Sequence, residues 1–66
     1  SNFSLFAYLT ALRMEKAKAL LMEGNLNVSE VALAVGYRNP NYFSRAFRKQ
    51  CGCPPTEYAA SRRGRK

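Results

Sequence analysis

The stretch NVSEVALAVGYRNPNYFSRAFRKQC, residues 27–51, decides the fold. Asn27 followed three residues later by Glu30 is an N-cap with its reciprocal partner, and Leu26 and Val31 stand at the two positions of a hydrophobic staple. A helix therefore opens at Val28. It is short, because Val28, Val31, Ala32 and Val35 make one apolar face and Gly36 follows at once as a left-handed terminating residue. Asn39 and Pro40 announce the next helix, a cap and then a proline at the one helical position where a missing N–H costs nothing. Ala32, four residues before the turning glycine, is small enough to let two helices approach closely. Residues 28–51 thus read as a helix-turn-helix, with its first helix over 28–35 and its second over 40–51.

Outward from this unit the chain stays helical. From Leu5 to Met22 there is no Gly, Pro or Asn, and the residues are those that lose least on entering a helix, so a long linker helix is expected over 4–23. Leu5, Leu9 and Leu12 read as one apolar stripe with Met14, Ala17, Leu20 and Leu21, and both Met14 and Met22 as core fillers. Phe3, Phe6 and Tyr8 fall away from that stripe, either as surface or core residues or as contacts to a preceding segment. Beyond Gly52, Pro54 and Pro55 break the chain, and Pro55 opens a short helix over 55–61 that leaves a basic tail over 62–66. No strand-like alternation occurs. The fold class is all-α, a small helical bundle containing a helix-turn-helix and preceded by a long linker helix.

The charge is divided unevenly. The 66 residues hold 11 Lys plus Arg against 4 Asp plus Glu, for a formal charge of +7, yet through residue 37 the cations Arg13, Lys16 and Lys18 are balanced by Glu15, Glu23 and Glu30. Arg38, Arg45, Arg48 and Lys49 follow with no acid between them, and Arg62, Arg63, Arg65 and Lys66 crowd the tail. The tail reads either as a solvated end or as a holder of phosphates. The first cluster is more informative, because at about 100° per residue Asn41, Tyr42, Arg45, Arg48 and Lys49 gather on one side of their helix. Phe43, Phe47, Gln50 and Cys51 gather on the other as its core side.

A basic, polar helix face with an amide and a guanidinium near its start suits duplex DNA. Arg can bond guanine O6 and N7 in a two-pronged way, Asn can do the same to adenine, and Lys and distal Arg suit phosphate. Asn41 and Arg45 are therefore candidate base readers, Arg38 and Tyr42 flanking contacts, and Arg48 and Lys49 phosphate contacts. Asn39 and Ser44 belong to the same candidate set. Ser29, at the start of the shorter helix, either receives a phosphate or merely supports the cap.

At this point the order of residues resembles a known family. Arg13-Met14-x-x-Ala17-x-x-Leu20-Leu21, Val31-Ala32, Val35-Gly36-Tyr37, Tyr42-Phe43-Ser44-Arg45-x-Phe47-Arg48 and Gly52-x-x-Pro55-x-x-Tyr58 are similar to the AraC/XylS family of bacterial transcription regulators, from about Phe3 to Tyr58. The resemblance implies a linker helix plus the second of two helix-turn-helix units, a partial domain whose first unit is missing. It also implies that 40–51 is the recognition helix, with Phe43 and Phe47 buried and Asn41, Tyr42 and Arg45 toward DNA. Two departures stand out: Ala59 and Ala60 follow Tyr58 where the family often has Arg, and Pro40 occupies a position that is polar in some relatives.

The expected function is sequence-specific double-stranded DNA binding in a transcription regulator or activator, with the recognition helix in the major groove. Double-stranded DNA is the expected partner, together with the rest of the parent regulator; RNA polymerase is a further candidate. The chain itself is expected to be monomeric, cytoplasmic, associated with the bacterial nucleoid when on DNA, and without membrane contact. The competing reading is a basic helical protein-interaction module docking on an acidic partner. Catalysis has no support: there is no His, no paired carboxylate and no phosphate-cradling glycine loop, and Cys51 with Cys53 is two ligands short of a structural zinc site. No cofactor or metal is expected.

Overall fold

The computed structural model describes residues 4–63, and side chains through Ser61. Four helices follow in order: α1, Leu5–Glu23; α2, Val28–Ala34; α3, Pro40–Cys51; and α4, Pro55–Arg63. No strand occurs among the described residues. The expected tail lies outside them from residue 64 onward, and so does Phe3. Helix α4 continues two residues past Ser61, since Arg62 and Arg63 are good helix formers and no breaker precedes Gly64.

Local chemistry sets each helix end. The Ser4 hydroxyl accepts from the Ala7 N–H at 3.1 Å to start α1, and Gly24 closes it with φ of 78°. At α2 the capping box is complete: Glu30 N–H donates to Asn27 Oδ1 and Asn27 N–H to Glu30 Oε1, each at 2.8 Å. Helix α2 ends at Ala34, one residue before the expected Val35, because its last carbonyls are taken in a Schellman pair. Gly36 N–H donates to Leu33 O at 3.1 Å, and Tyr37 N–H to Ala32 O at 2.8 Å. That geometry needs the φ of +102° seen at Gly36. A Cβ there would meet the Arg13 guanidinium at 3.5 Å, an ordinary contact, so substitution is opposed by the backbone alone. Gly36→Ala is expected to lower unfolding free energy by about 1–2 kcal/mol, the usual penalty for an L side chain in a left-handed conformation. Urea denaturation measures it, and an unchanged midpoint would contradict this account of the turn.

The core is built from one face of every helix. Met14, Ala17 and Leu21 of α1 meet Val31, Ala32 and Val35 around α2, Phe43 and Phe47 of α3, and Pro55 and Ala59 of α4. Ala17 and Ala32 are fully buried at the helix contacts, where a larger side chain would push the helices apart. An aromatic ladder threads the packing. Ring centroids are 5.5 Å apart from Tyr37 to Phe43, 5.8 Å from Phe43 to Phe47, and 5.5 Å from Phe47 to Tyr58 with edge-on geometry.

The apolar stripe expected along α1 is two stripes. Leu12 and Met14 are only two residues apart, about 200° around a helix, so they cannot share a face. Thr10, Met14, Ala17 and Leu21 form the buried face, whereas Leu5, Leu9 and Leu12 are 72%, 42% and 49% exposed. Tyr8, half exposed, stands with that outer group. Met22 is likewise exposed rather than a core filler. Ala59 is buried, so the position after Tyr58 faces the bundle interior in this chain.

Candidate nucleic-acid interface

Helix α3 carries the candidate interface, and its start is rigid. Asn39 Oδ1 accepts from the N–H groups of Asn41 at 2.9 Å and Tyr42 at 3.3 Å, while Pro40 sits in the first turn. Capping therefore occupies the Asn39 side-chain oxygen and leaves its amide NH2 for other partners. Phe43 and Phe47, both fully buried, anchor the helix from below. Opposite them Asn41, Tyr42, Arg45, Arg48 and Lys49 are all exposed, and Arg38 is exposed just ahead of the helix. Ser44 is half-buried at the edge of this face.

Gln50, on the core side by helical period, is exposed. Its position lies about 60° from Phe47, at the edge of the space between α1 and α3, so water reaches the amide. Ser29 is exposed in the first turn of α2, separate from the α3 face and beside the capping carboxylate of Glu30.

The cations of α3 are not neutralised internally. Among the described residues one ion pair is present, Lys18 Nζ to Glu15 Oε2 at 3.1 Å on α1. That hydrogen bond raises the Lys18 pKa, and among the described residues no carboxylate lies in salt-bridge range of Arg38, Arg45, Arg48 or Lys49. A face of this kind attracts a polyanion and repels a cationic surface.

Two residues join the interface that periodicity alone did not mark. Tyr37 is 9% exposed and packs between Phe43 and Tyr42, with a 6.1 Å centroid separation to the latter. Arg13, from the neutral half of the chain, lays its guanidinium carbon 5.6 Å from the Tyr37 ring centre. The available signal for Tyr37 was its place directly after Gly36, where a Schellman turn commonly packs an apolar side chain back on its helix. Nothing local announced Arg13. Together they border a groove of about 650 Å³ between α1 and α3, with Arg38, Arg45 and Lys49 along its rim.

Neither cysteine belongs to the interface. Cys51 packs at the edge of the core and Cys53 is half-buried; both are free thiols, and burial pushes the Cys51 thiol above its ordinary pKa. Such a group is a poor nucleophile at neutral pH. The described residues hold no cluster of three metal-ligating side chains, and no helix among them is long and apolar enough to cross a membrane.

The family model described as a helix-turn-helix domain matches residues 1–61. A transcriptional activator of Mannheimia succiniciproducens, RhaR, is 40% identical over 58 residues, covering 88% of this chain and 21% of its own length. The transcriptional regulator CdhR of Pseudomonas aeruginosa is 40% identical over 57 residues, 86% of this chain and 16% of its own. A protein of Formosa agariphila named histidine kinase P4 is 31% identical over 58 residues, 88% of this chain and 4% of its own. The chain thus spans about a fifth or less of these relatives. No solved structure matches it significantly.

Proposed function

The chain belongs to the AraC-type helix-turn-helix family of transcription regulators, and from that membership we propose that it is the second of two DNA-reading units, binding duplex DNA sequence-specifically with α3 in the major groove. In this reading Asn41 and Arg45 address base edges, with Arg38, Asn39, Tyr42 and Ser44 flanking them. Arg48, Lys49 and the Ser29 hydroxyl contact phosphate. The observation that carries it is the exposed, uncompensated basic face of α3 set directly opposite the buried Phe43 and Phe47.

The outer stripe of α1 supports the wider arrangement. Leu5, Tyr8, Leu9 and Leu12 recur at helical spacing on the face turned away from the bundle. A first helix-turn-helix of the parent regulator would cover it and be held at a fixed distance. A helix of the length of α1, 19 residues, spans about 28 Å, near the roughly 34 Å of one DNA turn. Two units so joined would enter successive major grooves. The chain alone is then a monomer with weak affinity, working in the cytoplasm, with RNA polymerase as a further partner of the whole regulator.

The test is duplex binding measured by anisotropy at 50 and 200 mM salt over an ordered set of sites. If Arg38, Arg45, Arg48 and Lys49 neutralise about four phosphates, affinity is expected to fall about 100-fold between the two conditions. Salt-insensitive binding, or equal affinity for every duplex and for an acidic polypeptide, would overturn the reading in favour of a protein-interaction module.

A further inference from the structure

The contact between Arg13 and Tyr37 joins the longest helix to the face that carries the candidate interface. The Arg13 guanidinium carbon lies 5.6 Å from the centre of the Tyr37 ring, inside the range over which the electron-rich face of an aromatic ring holds a cation. The same guanidinium rests against the turn, 3.5 Å from where a Cβ on Gly36 would stand. Among the described residues no carboxylate lies in salt-bridge range of Arg13, so no ion pair competes with the ring for it. Tyr37 is buried and carries the contact onward to α3, its ring standing 5.5 Å from Phe43 and 6.1 Å from Tyr42. Phe43 is fixed in the core, whereas Tyr42 is 62% exposed on the α3 face with the Tyr37 ring beside it.

We propose that Arg13 is a positioning residue for DNA readout: through Tyr37 it holds the Tyr42 ring in one orientation, so that a residue of α1 sets the base preference at the step Tyr42 meets. This rests on the proposed function, in which Tyr42 flanks the base readers. An exposed tyrosine standing alone on a helix moves among staggered rotamers, and each presents a different edge to a base. A buried ring beside it selects among them, and a cation on that ring restrains it in turn.

The effect needs no free surface on α1. Arg13 makes its contact to a buried ring of this same chain, so the contact does not depend on whether the neighbouring Leu5, Leu9 and Leu12 stripe is covered. A phosphate contact by Arg13 would act differently, through charge alone and equally on every sequence.

The experiment measures the affinity of the full-length protein for a library of single-base site changes at 50 and 200 mM salt. Tyr42→Ala first identifies the base-pair position at which Tyr42 contributes preference. At that position Arg13→Met, which keeps a long side chain and removes its charge, is expected to reduce the preference about two- to fivefold, the size of a cation held on a ring, with the salt slope unchanged. Arg13→Lys, which keeps a cation over the ring, should retain most of the preference. In the Tyr42→Ala background Arg13→Met should have no further effect, because the residue it acts through is gone. A loss spread equally over all sequences, with the slope lowered by about 1, would make Arg13 a phosphate contact and overturn the proposal. So would a lowered thermal midpoint with base preference intact, which marks a merely structural contact, and so would unaltered preferences in Tyr42→Ala. A measurement without DNA separates the proposal from the reading beneath it: in NMR spectra of tyrosine-labelled protein the Tyr42 ring signals should shift in Arg13→Met and return toward native in Arg13→Lys. Unmoved signals would overturn the positioning. A native protein that binds no duplex would instead refute the DNA reading, with the ring signals still deciding whether Arg13 orients Tyr42.

Discussion

Phe47→Ala is expected to remove most of the stability of this bundle. The side chain is fully buried, sandwiched in the ring ladder between Phe43 at 5.8 Å and Tyr58 at 5.5 Å, and it joins α3 to α4. Truncating such a residue costs about 3–5 kcal/mol, as lost transfer energy and as a cavity that neighbours fill only in part. A domain of this length has only about 3–10 kcal/mol in total, taken at 0.05–0.15 kcal/mol per residue. Thermal unfolding followed by circular dichroism should therefore show a midpoint lowered by many degrees or no cooperative transition at all. Leu9→Ala is the matched control. That residue is 42% exposed on the outer stripe, and its loss should change the midpoint little in this chain. Equal effects of the two substitutions would contradict the division of α1 into a buried and an outer face.

Arg45→Ala is expected to have the largest effect on DNA recognition without affecting the fold. The residue is exposed on α3, opposite the buried phenylalanines, so its removal opens no cavity. If it pairs in a two-pronged way with guanine, its loss costs about 1–3 kcal/mol at the cognate base and relaxes preference there. Lys49→Ala should instead weaken all sequences alike and reduce the salt slope by about 1. Affinity of the native protein and both variants across a library of single-base site changes separates the two behaviours. A uniform loss for Arg45→Ala would move that side chain from base reading to phosphate contact.

The parts of the molecule legible from residues alone are those governed by neighbours in the chain. Asn27 with Glu30, Asn39 with Pro40, and Gly36 and Gly52 all act within four or five residues, and hydrogen bonds at 2.8–3.3 Å close those local circuits. The basic face of α3 was equally readable, because Phe43 and Phe47 orient the helix and everything opposite them must meet solvent. The α1 stripe misled for a physical reason. Period gives the faces of a helix but not which face meets a partner, and of the two apolar faces of α1 only one is covered by the described residues.

By itself, then, the sequence determined an all-helical chain, where its turns fall, and that uncompensated positive charge would stand on one helix. Each of these follows from backbone propensity, capping and charge count, which do not depend on distant residues. Only the tertiary structure decided that Leu5, Leu9 and Leu12 face outward, that Gln50 and Met22 are wet, that Ala59 is interior, and that Tyr37 is buried under the candidate interface. It also brought Arg13 from the neutral half of the chain onto the Tyr37 ring and into the groove beside α3. Such placements depend on how helices far apart in sequence pack together, and packing is settled by the shape and burial of the whole core rather than by any local run of residues.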